Sequence, residues 1–147
     1  MKTSWLFALI TCLQASASAA APLCTPQTTR GYWVYTCEGE LPLPEVTPVR
    51  LLGTCKATRD AYWTCEGSIN LGGNVVPQQL QGQANNEANC TGKITYANTV
   101  GGNGAGTLAI DYVISDGGSI INGLPTNSGG VIACLLKRIR ISEDKFP

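Results

Sequence analysis

Two carboxylates occupy matching places in a phrase that the chain repeats. Thr36-Cys37-Glu38-Gly39 closes the run YWVYTCEG, and Thr64-Cys65-Glu66-Gly67 closes YWTCEG. Paired carboxyl groups about 5–10 Å apart, one of them protonated near neutral pH, are the machinery of glycoside hydrolysis. Glu38, Glu40 and Glu66 are therefore the candidate acid–base residues. Tyr32 and Tyr62 head the same two runs, and an aromatic face beside a carboxylate is a surface on which a sugar ring can stack. The rest of the usual catalytic inventory is missing. The chain has no histidine, which removes Ser-His-Asp and Cys-His catalysis in their usual forms, together with the commonest general base. It has no Cys-x-x-Cys pair of the kind that holds zinc, and no metal or other cofactor is expected.

The elements that carry these residues read as strands, in which side chains alternate between two faces. In the first copy Trp33, Tyr35 and Cys37 share a face, and Tyr32, Val34, Thr36 and Glu38 share the other. In the second, Ala61, Trp63 and Cys65 lie opposite Tyr62, Thr64 and Glu66. Tryptophan beside a disulfide is a good core element, so the Glu and Tyr sides should face solvent. Outward carboxylates are ordinarily just solvated, and a domain of this size has little room for a substrate cleft. The repeat is accordingly read as a duplicated structural hairpin, and no enzyme is expected.

Export follows from the N-terminus. Lys2 precedes an apolar run, Trp5 to Leu13, and Ala17-Ser18-Ala19 offers small residues for cleavage. This is the pattern of a secretory signal peptide over residues 1–19, too short to span a bilayer. About 128 residues follow as one domain, 20–147, expected to be monomeric and not embedded in a membrane. Cys12 leaves with the signal, so six cysteines stay: Cys24, Cys37, Cys55, Cys65, Cys90 and Cys134. An even set in an oxidising compartment reads as three disulfides, with fifteen possible pairings. Hairpins with a cysteine on each arm favour Cys24–Cys37 and Cys55–Cys65, leaving Cys90–Cys134. The alternative staples the hairpins to each other through Cys37 and Cys65. Formal charge is zero for the whole chain, so no basic field for nucleic acid exists.

Strand signals run through the rest: Gly31–Glu40, Val49–Ala57, Tyr62–Leu71, Lys93–Thr99, Thr107–Ser115, Ser119–Asn122 and Val131–Ile141. Pro42, Pro44 and Pro48 interrupt the first pair. Only Pro77–Glu87, PQQLQGQANNE, is a candidate for a loop or one short helix. Seven or eight strands with regular turn signals predict an all-β fold, or a β-rich one with a short helix, built as a disulfide-stapled antiparallel sandwich or small barrel. Gly101–Gly106, GGNGAG, reads as a flexible hairpin loop and not a dinucleotide loop, since no helix follows it. In the tail, Lys137, Arg138 and Arg140 form the one charge cluster. They suit an edge strand protected by its charge or a small patch for an anionic partner. Lys137-Arg138 is also a dibasic processing site. Asn89-Cys90-Thr91 is an N-glycosylation sequon, which would make the product a glycoprotein.

A signal peptide, six paired cysteines, no histidine and a β-rich pattern together resemble the small secreted cysteine-rich proteins of filamentous fungi, many of them effectors that act on plant hosts. The resemblance implies a virulence protein working in the host apoplast by binding a host or co-secreted protein. It carries over no site residues. A second resemblance is to cyanovirin-type lectins, on Thr36-Cys37-Glu38, Thr64-Cys65-Glu66 and the Ser68–Leu71 strand, although the two copies here stand closer together than that family's units. It implies carbohydrate binding, for which Tyr32 and Tyr62 are the candidates.

Overall fold

Eight strands alternate inward and outward residues, and each pairs antiparallel with its neighbours in sequence. The first also pairs with the last. In the computed structural model, which describes residues 24–140, the strands are β1 (Gly31–Leu43), β2 (Glu45–Ala57), β3 (Tyr62–Leu71), β4 (Asn74–Asn86), β5 (Thr91–Val100), β6 (Asn103–Ser115), β7 (Ile120–Pro125) and β8 (Val131–Ile139). They form a closed barrel in the order β1 to β8. Of the sandwich and the small barrel that the sequence left open, the barrel is the fold. The signal-peptide reading and the last seven residues lie outside the described residues. Among those described, no helix is long and apolar enough to cross a membrane.

Closure needs one face of every strand to fill the interior. Trp33, Tyr35, Cys37, Trp63, Cys65, Leu80, Ile94, Tyr96, Ile110 and Ile132 do so, and the two Trp rings meet with centroids 5.7 Å apart. The segment 77–87, read as loop or helix, is most of β4. Its inward residues are Gln78, Leu80, Gly82 and Ala84, all buried. Small and amide side chains, where an aliphatic row would have signalled a strand, hid the alternation.

The lower end of the barrel is plugged. A single 3-10 turn, Pro26–Thr29, lies across it. Trp33 Nε1 donates to the Thr29 carbonyl at 2.9 Å, Asn86 Nδ2 donates to the Thr25 carbonyl at 2.9 Å, and a disulfide ties Cys24 to Cys90. Arg138 completes the plug. It shares a row with Trp33 across the β1–β8 pairing, places its guanidinium 4.8 Å from the Trp33 ring and donates to the Thr28 carbonyl. This corrects two expectations. The basic tail is no edge strand, because β8 is paired on both sides. Arg138 is also committed to the plug and does not belong to an open anion patch, while Arg140 is exposed just beyond the strand. Lys137-Arg138, set inside a doubly paired strand, is not presented for processing.

The upper end is open. Beyond Glu40 and Val49 the β1–β2 hairpin leaves its outer neighbours and pairs only with itself. Pro42, Pro44 and Pro48 fall in this free arm, where a missing N–H removes little from the sheet. Pro42 and Pro48 lie within the strands, while Pro44 sits at the bend between β1 and β2. In the β5–β6 hairpin β5 stays paired with β4 up to Val100, while β6 runs beyond its β7 partner from Ala109 upward, and the turn is not the six-residue loop expected. Gly101 and Gly102, with φ of +59° and +82°, make a two-residue turn, which requires positive φ at both positions. Asn127, from the β7–β8 connection, holds the side of β6 that β7 no longer reaches, accepting from Ala109 N–H at 2.8 Å and donating to the Thr107 carbonyl at 2.9 Å.

The disulfides correct the pairing. Cys55–Cys65 bridges β2 and β3 as expected, but Cys24 bonds Cys90 and Cys37 bonds Cys134. Cys24 lies in the plug and not on a hairpin arm, so only the second copy of the repeat is the hairpin that was read. Cys37–Cys134 closes the barrel seam between first and last strands. Loop-closure entropy makes the bridges of sequence separation 97, 66 and 10 worth roughly 4.7, 4.3 and 2.7 kcal/mol. Replacing both members of a pair by alanine should lower the urea midpoint in that order, the Cys37/Cys134 variant falling furthest; measured urea unfolding curves for the three paired variants check it.

Candidate functional site

The repeated phrase does put Trp and Cys inside and Tyr and Glu outside. Glu38 and Glu66 stand on the convex outer wall. Glu38 faces Arg50 across the β1–β2 pair, with Nε and Oε1 3.7 Å apart, and Glu66 is opposite Thr54. The two carboxylates do not face one another across a cleft, and Glu40, beside Pro48, is likewise outward. Tyr32 and Tyr62 are each 41% exposed on one continuous stretch of that wall. Lys56 stands between them, its Nζ 5.6 Å from the Tyr32 ring centroid, and Tyr62 Oη approaches Gln81 Oε1 at 3.5 Å. Asn89 is exposed in the lower β4–β5 turn, where its Oδ1 accepts from the Thr91 hydroxyl at 2.7 Å and from Thr91 N–H at 3.1 Å.

The concave site lies inside. A cavity of about 370 Å³ opens at the upper end of the barrel. Its floor carries Cys37, Cys134, Cys55 and Cys65, so both cross-strand disulfides face into it. Leu41, Leu51, Ile69, Leu80, Ile110, Ile132 and Leu136 form its apolar walls, and Ala105, Thr107, Asn127 and Ser128 ring the mouth. No charged side chain lines it among the described residues.

Four positions in register cross the wall of this cavity. Tyr35 on β1 is opposite Gly53 on β2, Gly53 is opposite Gly67 on β3, and Gly67 is opposite Gln78 on β4. The glycines make a trough. A Cβ at Gly53 would lie 2.6 Å from Tyr35 Cε1, and one at Gly67 only 2.5 Å from Tyr35 Oη. The phenol therefore lies across both glycines with its hydroxyl over Gly67, one strand from Gln78. A Cβ at Gly67 would also clash with the Leu52 carbonyl oxygen, so the β2 backbone and a side chain from two strands away together reserve this place for glycine.

Two polar atoms in this row have no partner. Gln78 is 2% exposed and Tyr35 3%. Gln78 Nε2 donates to Asn98 Oδ1 at 3.0 Å, but Gln78 Oε1 and Tyr35 Oη make no hydrogen bond. Buried polar groups are nearly always satisfied, and an orphan costs about 1–3 kcal/mol. Tyr96, also lining the cavity, has its hydroxyl 4.0 Å from Cys65 Sγ. A disulfide sulfur carries no hydrogen, so the hydroxyl is the donor in that weak contact. Burial pushes the Tyr35 phenol up to about 12. It raises Tyr96 as well, where the Tyr112 and Tyr35 phenols add to the effect of burial. Both are neutral hydroxyls throughout the physiological range and can donate to a guest.

No protein-family model and no curated protein sequence matches this chain. The site therefore has to be read from its own chemistry. Sequence reasoning placed Tyr35 on the inward face with Trp33 and Cys37 but gave it no role, and it missed Gln78 because β4 was not read as a strand. The alternation of Gln78, Leu80, Gly82 and Ala84 with Gln79, Gln81 and Gln83 was the available signal.

Two outcomes follow for Tyr35. A buried hydroxyl without a partner adds nothing to stability, so Tyr35→Phe should leave the urea unfolding free energy at pH 7 unchanged or raise it by about 1 kcal/mol. Its folded pKa stands above the unfolded value of about 10. The neutral phenol's contribution is thus fully present below pH 10 and lost as pH rises toward 12. Native stability should fall over that window, and less steeply in Tyr35→Phe, as followed by urea unfolding at stepped pH.

Proposed function

We propose that this chain is an exported, non-catalytic binding protein of the fungal effector kind, which acts by taking one small, mainly apolar molecule into the mouth of its barrel. The observation that carries the reading is the open, uncharged cavity with two orphaned polar atoms in its wall. Eight-stranded barrels have an interior of the right width for side chains or one small ligand, and ligand pockets occupy about 300–1,000 Å³. Three disulfides fit an oxidising, extracellular setting. In a host apoplast, such a protein would sequester or deliver a small compound. The staples raise its resistance to unfolding and so to proteolysis.

The reading is tested with the neutral fluorescent probe N-phenyl-1-naphthylamine. Saturable one-to-one binding, weakened at least tenfold by Ala105→Trp at the mouth with an unchanged circular dichroism spectrum, is the expected result. Absence of saturable binding, or binding indifferent to the mouth variant, overturns it. The mature chain used as bait in plant apoplastic fluid adds a second readout. A small apolar compound recovered with the barrel supports the proposal. A saturable host or co-secreted protein held by an empty barrel favours the protein-binding effector instead.

One observation favours a second reading, a carbohydrate-binding wall: Tyr32 and Tyr62 are equally exposed on the same outer surface. On that reading the native protein is retained on insoluble chitin or glucan, and Tyr62→Ala loses retention several-fold while keeping its fold. Lack of retention by the native protein removes it.

A further inference from the structure

The row Tyr35–Gly53–Gly67–Gln78 specifies more than an apolar guest. From it we infer that the cavity's ligand is a neutral molecule, with an apolar body of on the order of ten to twenty non-hydrogen atoms and one head group that both accepts and donates a hydrogen bond, such as a hydroxyl or a primary amide. This inference rests on the cavity reading of the preceding section and names the class of ligand for that site.

The volume sets the size. About 370 Å³ is the share of roughly twelve liquid waters at about 30 Å³ each. The walls set the body, because they are mainly aliphatic side chains and disulfide sulfurs, with neutral polar groups only and no charged one. The orphaned atoms set the head. Tyr35 Oη carries a proton with no acceptor, and Gln78 Oε1 has lone pairs with no donor. They are brought to neighbouring positions of one row, because the two glycines let the phenol lie across β2 and β3 toward β4. Yet neither satisfies the other. A guest hydroxyl accepts from Tyr35 and donates to Gln78, and so completes both. Gln78 is held for this task by its bond to Asn98. That bond engages one of the two amide protons and leaves the oxygen without a donor.

Charge is excluded by the same wall. No lysine or arginine lines the cavity to compensate an anion, and no aspartate or glutamate to compensate a cation. A buried unpaired charge is far more costly than a buried neutral hydrogen-bonding group. Fatty carboxylates and alkylammonium ions should therefore be poor guests, although their tails would fit the walls.

The experiment is displacement of bound N-phenyl-1-naphthylamine at pH 7.5 by three compounds of one shape: 2-naphthol, naphthalene and 2-naphthoate. The expected order is naphthol tightest and naphthoate weakest, with at least tenfold between them. Tyr35→Phe should weaken 2-naphthol by roughly 5- to 30-fold, as loss of a buried hydrogen bond does, and leave naphthalene within twofold. The unchanged naphthalene affinity shows that the variant keeps its cavity. If Tyr35→Phe does not fold, Gln78→Met makes the same test from the accepting side. Naphthoate competing as well as naphthol, or naphthol affinity indifferent to both substitutions, overturns the inference and leaves the cavity reading standing. Failure of the probe itself to bind overturns the cavity reading, and this inference with it.

Discussion

Closure of the sheet is the constraint on which the rest of the molecule depends. Once β1 pairs with β8 the sheet closes, leaving edges at the upper ends of strands such as β1, β2 and β6, and every inward residue must find room in a cylinder of fixed width. The Cys37–Cys134 bridge stands on that seam and joins residues that the chain brings together last. Its counterpart on the next pair of strands, Cys55–Cys65, stiffens a hairpin that local contacts already favour. The third bridge acts at the end of the cylinder, where Cys24–Cys90 holds the plug against the lower rim. The disulfides thus divide the work of a small core that would otherwise be marginal.

The two ends of the cylinder are filled in opposite ways. Below, Trp33, Trp63 and the 3-10 turn occupy the interior, with the Arg138 guanidinium over the Trp33 face. A cation over an aromatic ring is worth about 0.5–2 kcal/mol, here set against the partial desolvation that lowers the Arg138 pKa. Above, the inward positions become glycine and medium-sized aliphatics, and the projecting β1–β2 hairpin and the upper end of β6 lengthen the wall without filling it. One large ring, Tyr35, is laid flat against the wall by Gly53 and Gly67 instead of pointing across the lumen. The open volume is a consequence of that placement.

Polar atoms in the lower half are mostly answered by the plug, as in the bond from Trp33 Nε1 to Thr29. Trp63 Nε1 is the exception there. In the upper half Gln78 Oε1 and Tyr35 Oη are left unanswered in the cavity wall. That contrast separates a core from a site: a core polar group is retained for the bond it makes, and a site polar group for the bond it can still make.

The sequence by itself determined the β class, the inward Trp and Cys faces of β1 and β3, the outward positions of Tyr32, Tyr62, Glu38 and Glu66, and a full set of three bridges. All of these follow from the two-residue period of a strand and from cysteine parity, which are local. It did not determine barrel over sandwich, because both share that period and differ only in whether β1 meets β8. Nor did it determine that Cys37 bonds Cys134 instead of a nearby cysteine, since strand register across ninety-seven residues is a property of the closed sheet. β4 was hidden because glutamine, glycine and alanine fill its inward face and give no hydrophobic period. Only the tertiary structure brought Tyr35, Gly53, Gly67 and Gln78 into one row. They come from four strands, and what unites them is the hydrogen-bond register between strands, which no stretch of the chain encodes alone.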